Sequence, residues 1–115
     1  MSKVSSPRLY ADDRGVWRED QPGHPFGIEW GDIYRVGGYK LDCVDEVDTV
    51  LELDFEYGHF IELNSTWAGF ESVVNALKIN LDGLDPRRFD QLEASEPSDG
   101  PVEVWERSSG DQTNE

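Results

Sequence analysis

Apolar and charged residues alternate near the middle of the chain. Leu51, Leu53 and Phe55 fall on one side of the alternation, and Glu52 and Asp54 fall on the other. A period of two residues is typical of a β-strand with one buried face and one solvated face. The pattern therefore predicts a strand whose acidic side faces solvent.

The following extended run is predicted to fold back against this strand as a hairpin. A three-residue loop that ends at Gly58 pairs Leu53 with Ile61 and Leu51 with Leu63, whereas a two-residue loop would place an acid opposite Leu53. Because strand register follows burial, the longer loop is favoured. Gly58 then takes the left-handed position that such loops require.

A stripe of apolar residues at helical spacing follows the hairpin, at Phe70, Val73, Val74 and Leu77. This spacing predicts an amphipathic helix over about residues 66–81, and residues 64–66 supply side chains suited to capping it. Residues 85–89 are predicted to form a short helical turn that begins at a proline.

Short extended runs on either side complete the predicted sheet, at residues 8–11, 16–18, 27–30, 33–42 and 101–107. Gly37 and Gly38 are expected to mark a bulge or bend. In the last strand, Val102 and Val104 are expected to share one face, with Trp105 on the other.

These elements predict an α+β domain, a strongly bent antiparallel sheet of five to seven strands covered by one amphipathic helix. The length of 115 residues suits a single domain, assigned to residues 1–107. Residues 108–115 are expected to be a disordered tail.

Net charge is the most unusual bulk property. The chain has 10 Lys and Arg against 25 Asp and Glu, a formal charge of −15. Two basic and ten acidic side chains lie in residues 27–63 alone. Such a surface repels phosphates and anionic lipids, so neither nucleic acid nor a membrane is expected as a partner.

Export and membrane insertion are not expected either. The chain has no run of eighteen apolar residues, and its amino terminus lacks the apolar stretch of a secretory signal. Cys43 is the only cysteine, which excludes an internal disulfide. A cytoplasmic location is therefore predicted.

Asp42, Asp45, Glu46 and Asp48 form an acidic segment between two predicted strands. Oxygen-rich loops bind calcium or magnesium, but this spacing fails the helix-loop-helix calcium template. A solvated turn is favoured over a metal site, and no cofactor is predicted.

Paired carboxylates suggest acid–base catalysis as another use, with Glu52, Asp54 and Glu62 on the solvated face of the hairpin. A carboxylate tuned for catalysis needs an apolar pocket or a close like charge, and nothing in the sequence desolvates these. No catalytic residue is assigned, and an enzyme is not the favoured interpretation.

The runs Ile28-Glu29-Trp30-Gly31-Asp32-Ile33 and Tyr39-Lys40-Leu41-Asp42, followed by the acidic strand and a helix, resemble a family of small uncharacterised bacterial proteins. The likeness covers about residues 27–107 and includes no catalytic motif. It implies a pleckstrin-homology-like (PH-like) roll or open barrel.

The favoured hypothesis is a non-enzymatic interaction module that binds a basic protein partner, with an immunity protein as one concrete version. The predicted binding residues are Asp42, Asp45, Glu46, Asp48, Glu52, Asp54 and Glu62. Two alternatives remain open. One is a small-ligand or divalent-metal-binding domain with a pocket between sheet and helix. In the other, the acidity serves only solubility or salt adaptation.

Overall fold

The computed structural model describes residues 7–55 and 58–107. Within these residues the strands are β1 (Arg8–Ala11), β2 (Gly15–Glu19), β3 (Pro25–Glu29), β4 (Arg35–Asp42), β5 (Val47–Phe55), β6 (His59–Asn64) and β7 (Val102–Glu106). The helices are α1 (Phe70–Asn80) and α2 (Arg87–Ala94). The predicted tail, 108–115, lies outside the described residues.

The strands form two antiparallel sheets in place of the one bent sheet that was predicted. One sheet has the order β1-β2-β3 and the other has the order β6-β5-β4-β7. A 3₁₀ turn at Trp30–Asp32 follows β3 and separates the strands of the first sheet from those of the second. The Arg107 guanidinium holds this turn by donating to the carbonyls of Trp30 and Ile33. The α+β class and the number of strands are confirmed.

The hairpin of β5 and β6 has the predicted register. Leu53 pairs with Ile61 and Leu51 pairs with Leu63. Gly58 has a φ of 77°, the left-handed conformation predicted for it, while Glu56 and Tyr57 of the predicted loop lie outside the described residues. Burial of one face therefore sets the register of this hairpin, as expected.

Helix α1 buries the predicted stripe but begins later than residue 66. Gly69, with a φ of 90°, precedes its first residue. The expected capping groups have other partners, because Asn64 Oδ1 accepts from the Thr66 amide and hydroxyl, and Ser65 Oγ accepts from the Thr49 amide. These hydrogen bonds form a turn after β6, so α1 begins only at Phe70.

A second helix, α2, replaces the short turn predicted at residues 85–89, so the sheet is not covered by one helix alone. Asp85 Oδ1 accepts from the Arg87 amide at its start. Phe89 and Leu92 are buried. A Cβ added at Gly38 would lie 2.6 Å from Leu92 Cδ2, so the absence of a side chain at Gly38 lets α2 approach β4.

Strand β7 contains an irregularity that reverses one prediction. Val36 pairs with Trp105 and Gly37 pairs with Glu103, which leaves Val104 as an extra residue. Such a bulge turns two successive side chains inward, so Val104 and Trp105 are both buried. The expectation that Trp105 lies opposite Val104 is wrong for this reason.

One hydrophobic cluster joins both sheets and both helices, including Leu9, Leu53, Leu77 and Leu92. Sheet β1-β2-β3 contributes through Val16 and its neighbours. Among the described residues, no helix is long and apolar enough to span a membrane.

We expect Leu77→Ala to lower the free energy of unfolding by about 2 to 5 kcal/mol, because it removes a fully buried side chain and leaves a cavity. Ile79 of the same helix is 80% exposed, so Ile79→Ala should change the free energy of unfolding by less than about 0.5 kcal/mol. Urea unfolding of both variants measures the difference. Equal effects would show that the stripe does not hold α1 in place.

Candidate functional site

Three of the predicted acids lie together on the outer face of the four-stranded sheet. Glu52 and Glu62 are directly opposite each other across β5 and β6, and Asp54 follows two positions along β5. The face pointing the other way carries Leu51 and Leu53, which are buried in the core. We call Glu52, Asp54 and Glu62, together with Arg35 and Tyr39 of β4, the acidic sheet face.

Arg35 and Tyr39 offset part of this charge, and the Arg18 guanidinium also lies nearby, where it donates to the Glu62 carbonyl at 3.2 Å. Arg35 Nε donates to Asp54 Oδ2 at 2.9 Å, and the Tyr39 hydroxyl donates to Glu62 Oε2 at 3.3 Å. Within residues 7–55 and 58–107, neither Glu52 nor Glu62 forms an ion pair. The acidic sheet face therefore has more negative than positive charge.

Glu52 is partly desolvated, so the expectation that nothing desolvates the three carboxylates is wrong for this residue. Burial raises the pKa of Glu52, and the negative charges of Glu62 and Asp54 raise it further, while Arg35 lowers it. Burial, followed by the charge and hydrogen bond of Glu62, likewise raises the pKa of Tyr39. Both groups lie where an additional positive charge would be favourable.

Apolar side chains border the acidic sheet face. Val50 is buried on the same side of β5 as Glu52, opposite Tyr39. Phe60 of β6 is opposite Asp54 and is 49% exposed. Aromatic rings beside carboxylates attract the guanidinium and ammonium groups of Arg and Lys.

A second group of predicted acids lies at the turn between β4 and β5. Asp42, Asp45 and Glu46 are exposed there, and the Cys43 amide donates to the Glu46 carbonyl at 2.8 Å. The alternation along β4 places Asp42 on the opposite side of the strand from Tyr39. Asp42 is therefore separate from the acidic sheet face, and Asp45 and Glu46 lie in the turn between β4 and β5.

Asp48 differs from the other six acids, because it is only 7% exposed. Its Oδ2 accepts from Asn64 Nδ2 at 3.2 Å and from Cys43 Sγ at 3.5 Å, while its Oδ1 has no partner among the described residues. The prediction that all seven acids lie on the solvated surface is wrong for Asp48. Neighbouring polar groups compensate its burial in part.

Cys43 is poorly suited to act as a nucleophile. Burial raises the pKa of its thiol, and the hydrogen bond to Asp48 and the nearby acids raise it further. A thiol with a raised pKa is protonated near neutral pH and reacts slowly.

Arg35 and Tyr39 belong to this face but are not among the predicted binding residues. The register of β4 against β5 pairs Arg35 with Asp54 and Tyr39 with Val50. The alternation in β4 gives the signal, but the register depends on where the turn at residues 43–46 begins and ends. The sequence offers no glycine there that would fix the turn.

No protein-family model, curated protein or solved structure matches this chain. The resemblance to small bacterial proteins therefore stays a prediction.

We expect Glu52→Gln to raise the free energy of unfolding at neutral pH by roughly 0.2 to 1 kcal/mol, because it removes the repulsion between directly opposite like charges. A carboxyl group with a raised pKa in the folded state makes folding more favourable as pH falls. The advantage of the variant should therefore shrink as pH approaches the ordinary glutamate pKa of about 4.3.

Thermal melts of both proteins between neutral and acidic pH measure this difference. Glu71→Gln is a matched control, because Glu71 lies in the first turn of α1, where its negative charge is favourable. A Glu52→Gln variant that is less stable than the wild type at neutral pH would contradict the repulsion.

No three His, Cys, Asp or Glu side chains in the described part of the chain are grouped so as to hold a metal ion. We expect millimolar calcium or magnesium, at matched ionic strength, to leave the Tm unchanged. A site present only in the folded state would raise the Tm by mass action. A saturable rise that Asp45→Asn abolishes would contradict this expectation.

Proposed function

We propose that this protein is a non-enzymatic interaction module whose acidic sheet face binds a basic protein partner. The observation that carries the proposal is the pairing of Glu52 directly opposite Glu62 with no ion pair to either side chain within the described residues. Like charges in this position destabilise the folded chain. A partner's Lys or Arg placed between them would relieve that repulsion.

The neighbouring rings support the same partner chemistry. Tyr39 and Phe60 border the carboxylates, so a bound Arg or Lys side chain gains contact with aromatic carbon as well as charge. Arg35 keeps Asp54 paired, which leaves Glu52 and Glu62 as the principal acceptors. Aromatic and charged groups side by side are typical of energetically important interface residues.

The net charge of −15 adds long-range attraction to a cationic surface. Complementary charge accelerates encounter more than it increases final affinity. The exposed acids at residues 42–46 contribute to this attraction without belonging to the acidic sheet face. Asp48 is buried and is not included among the contact residues.

The concrete form of the proposal is an acidic immunity-like protein that neutralises a basic toxin in the cytoplasm. The PH-like roll belongs to the same proposal. Its support is that both sheets share one hydrophobic cluster and are connected through the turn at Trp30–Asp32.

Small-molecule binding is the second candidate function. A cavity of about 120 Å³ lies between β5, α1 and α2, with Leu51, Val74 and Leu92 among its lining residues. Ligand pockets usually have volumes of about 300 to 1,000 Å³, so this cavity is small for the purpose. It therefore ranks below the acidic sheet face.

Affinity capture with three immobilised proteins tests the proposal. The wild type is compared with Glu52→Lys/Glu62→Lys and with Glu71→Lys/Asp90→Lys, a control with the same change in net charge on the helical side. We expect the control to retain a basic partner that the first variant loses. An equal loss of capture in the two variants would show that net charge alone attracts the partner.

The captured partner then allows a kinetic test. The Debye length falls from about 10 Å at 0.1 M salt to about 3 Å at 1 M, so the association rate of an electrostatically steered complex should fall steeply over this range. Stopped-flow measurements with the wild type give this rate directly. An association rate that does not change with salt would contradict the proposed role of the acidic surface.

A further inference from the structure

Strand β3 forms one edge of the three-stranded sheet. Its partner is β2, and no other described strand pairs with it. An edge strand presents unpaired N–H and C=O groups that can pair with another extended chain. Proteins recognise peptides by this kind of strand addition.

The register identifies which backbone groups are free. The Trp30 amide donates to the Arg14 carbonyl, and the same ladder continues through the pair Ile28 and Val16. In an antiparallel ladder, hydrogen-bonded pairs alternate with pairs whose N–H and C=O groups point away. Gly27 and Glu29 therefore direct their backbone groups to the free edge.

The free edge is short, and its two ends explain why. Pro25 has no N–H and begins the strand, so pairing cannot extend in that direction. The 3₁₀ turn that begins at Trp30 ends it in the other. A segment of about five residues is the longest that this edge can pair with.

A groove of about 400 Å³ adjoins β3, lined by Trp17, Gly27, Ile28, Glu29, Asp32 and Phe55. It combines two aromatic rings with two carboxylates. Any side chain at Gly27 would collide with β2 and with the Trp17 ring, so glycine permits the close approach of backbone and indole here. This lining favours a positively charged side chain.

The protein itself shows how an arginine is held at this place. Arg14 Nη2 lies 3.2 Å from Glu29 Oε2, and its guanidinium is 5.1 Å from the centre of the Trp17 ring. Trp17 Nε1 donates to Asp12 Oδ1, which fixes the indole. Asp32 has no ion pair within the described residues, so a carboxylate remains for a second cation.

We propose that the free edge of β3 binds an extended basic segment of a partner protein by strand addition, with an Arg or Lys side chain in the groove between Trp17 and Phe55. This site is separate from the acidic sheet face. A second copy of the chain is a poorer occupant, because it has the same net charge of −15 and would bring its own Glu29 and Asp32 to the groove.

The probe is the blocked pentapeptide acetyl-Arg-Thr-Arg-Thr-Arg-amide, titrated calorimetrically into the full chain. Two further peptides carry backbone N-methyl groups, one at positions 2 and 4 and the other at positions 1, 3 and 5. In strand addition only one of the two alternate sets of peptide N–H groups faces β3. The peptide that is methylated on that set should therefore have an affinity at least about tenfold lower than the other methylated peptide. Equal affinity for the two methylated peptides, or no binding of the unmodified peptide, would overturn the proposal.

Charge-reversed variants locate the site. Glu29→Lys/Asp32→Lys should weaken binding of the unmodified peptide by about tenfold or more, while Glu52→Lys/Glu62→Lys, with the same change in net charge, should retain most of it. Loss only in the second variant would place the peptide on the acidic sheet face and overturn this inference without affecting the proposed function. Loss of peptide binding at chain concentrations at which a dimer forms would assign the free edge of β3 to a second copy of the chain. That outcome would overturn this inference as well.

Discussion

The register between β5 and β6 is the constraint on which the rest of the structure depends. Burial of Leu51 and Leu53 against the helices requires Leu63 and Ile61 to lie opposite them. Side chains alternate along a strand, so the same register brings acids face to face on the other side. The hydrophobic core and the repulsion on the acidic sheet face thus arise from the same strand register. A shift of this register by one residue would bury the acids and expose the apolar side chains.

The sequence predicts those parts of the fold that depend on local periodicity. The hairpin register, the left-handed Gly58 and the apolar stripe of α1 all follow from spacing and burial. What spacing misses depends on distant partners. Local sequence predicts that residues 64–66 cap α1, but the Ser65 hydroxyl accepts from the Thr49 amide in β5. Trp105 was expected to face away from Val104, but a bulge against β4 turns both inward.

The candidate site divides in the same way. Alternation alone placed Glu52, Asp54 and Glu62 on one face. It could not show that Asp48, on the same side of β5, is buried with Cys43 and Asn64 as partners, because that depends on the turn before β5 and on the end of β6. Composition shows an acidic chain, but only the pairing of strands shows that Glu52 opposes Glu62, with no ion pair to either side chain among the described residues.

The two proposed surfaces attract positive charge for different physical reasons. Glu52 and Asp54 of the acidic sheet face lie on β5, whose backbone groups are already paired on both sides, so recognition at these residues depends on side chains alone. At β3 the backbone is free along one edge, and the side chains need only select the charge of the incoming segment. A folded basic surface matches the first requirement and an extended basic segment matches the second. One partner can present both features. A protein with a cationic surface and a flexible basic arm would therefore match both the acidic sheet face and the free edge of β3.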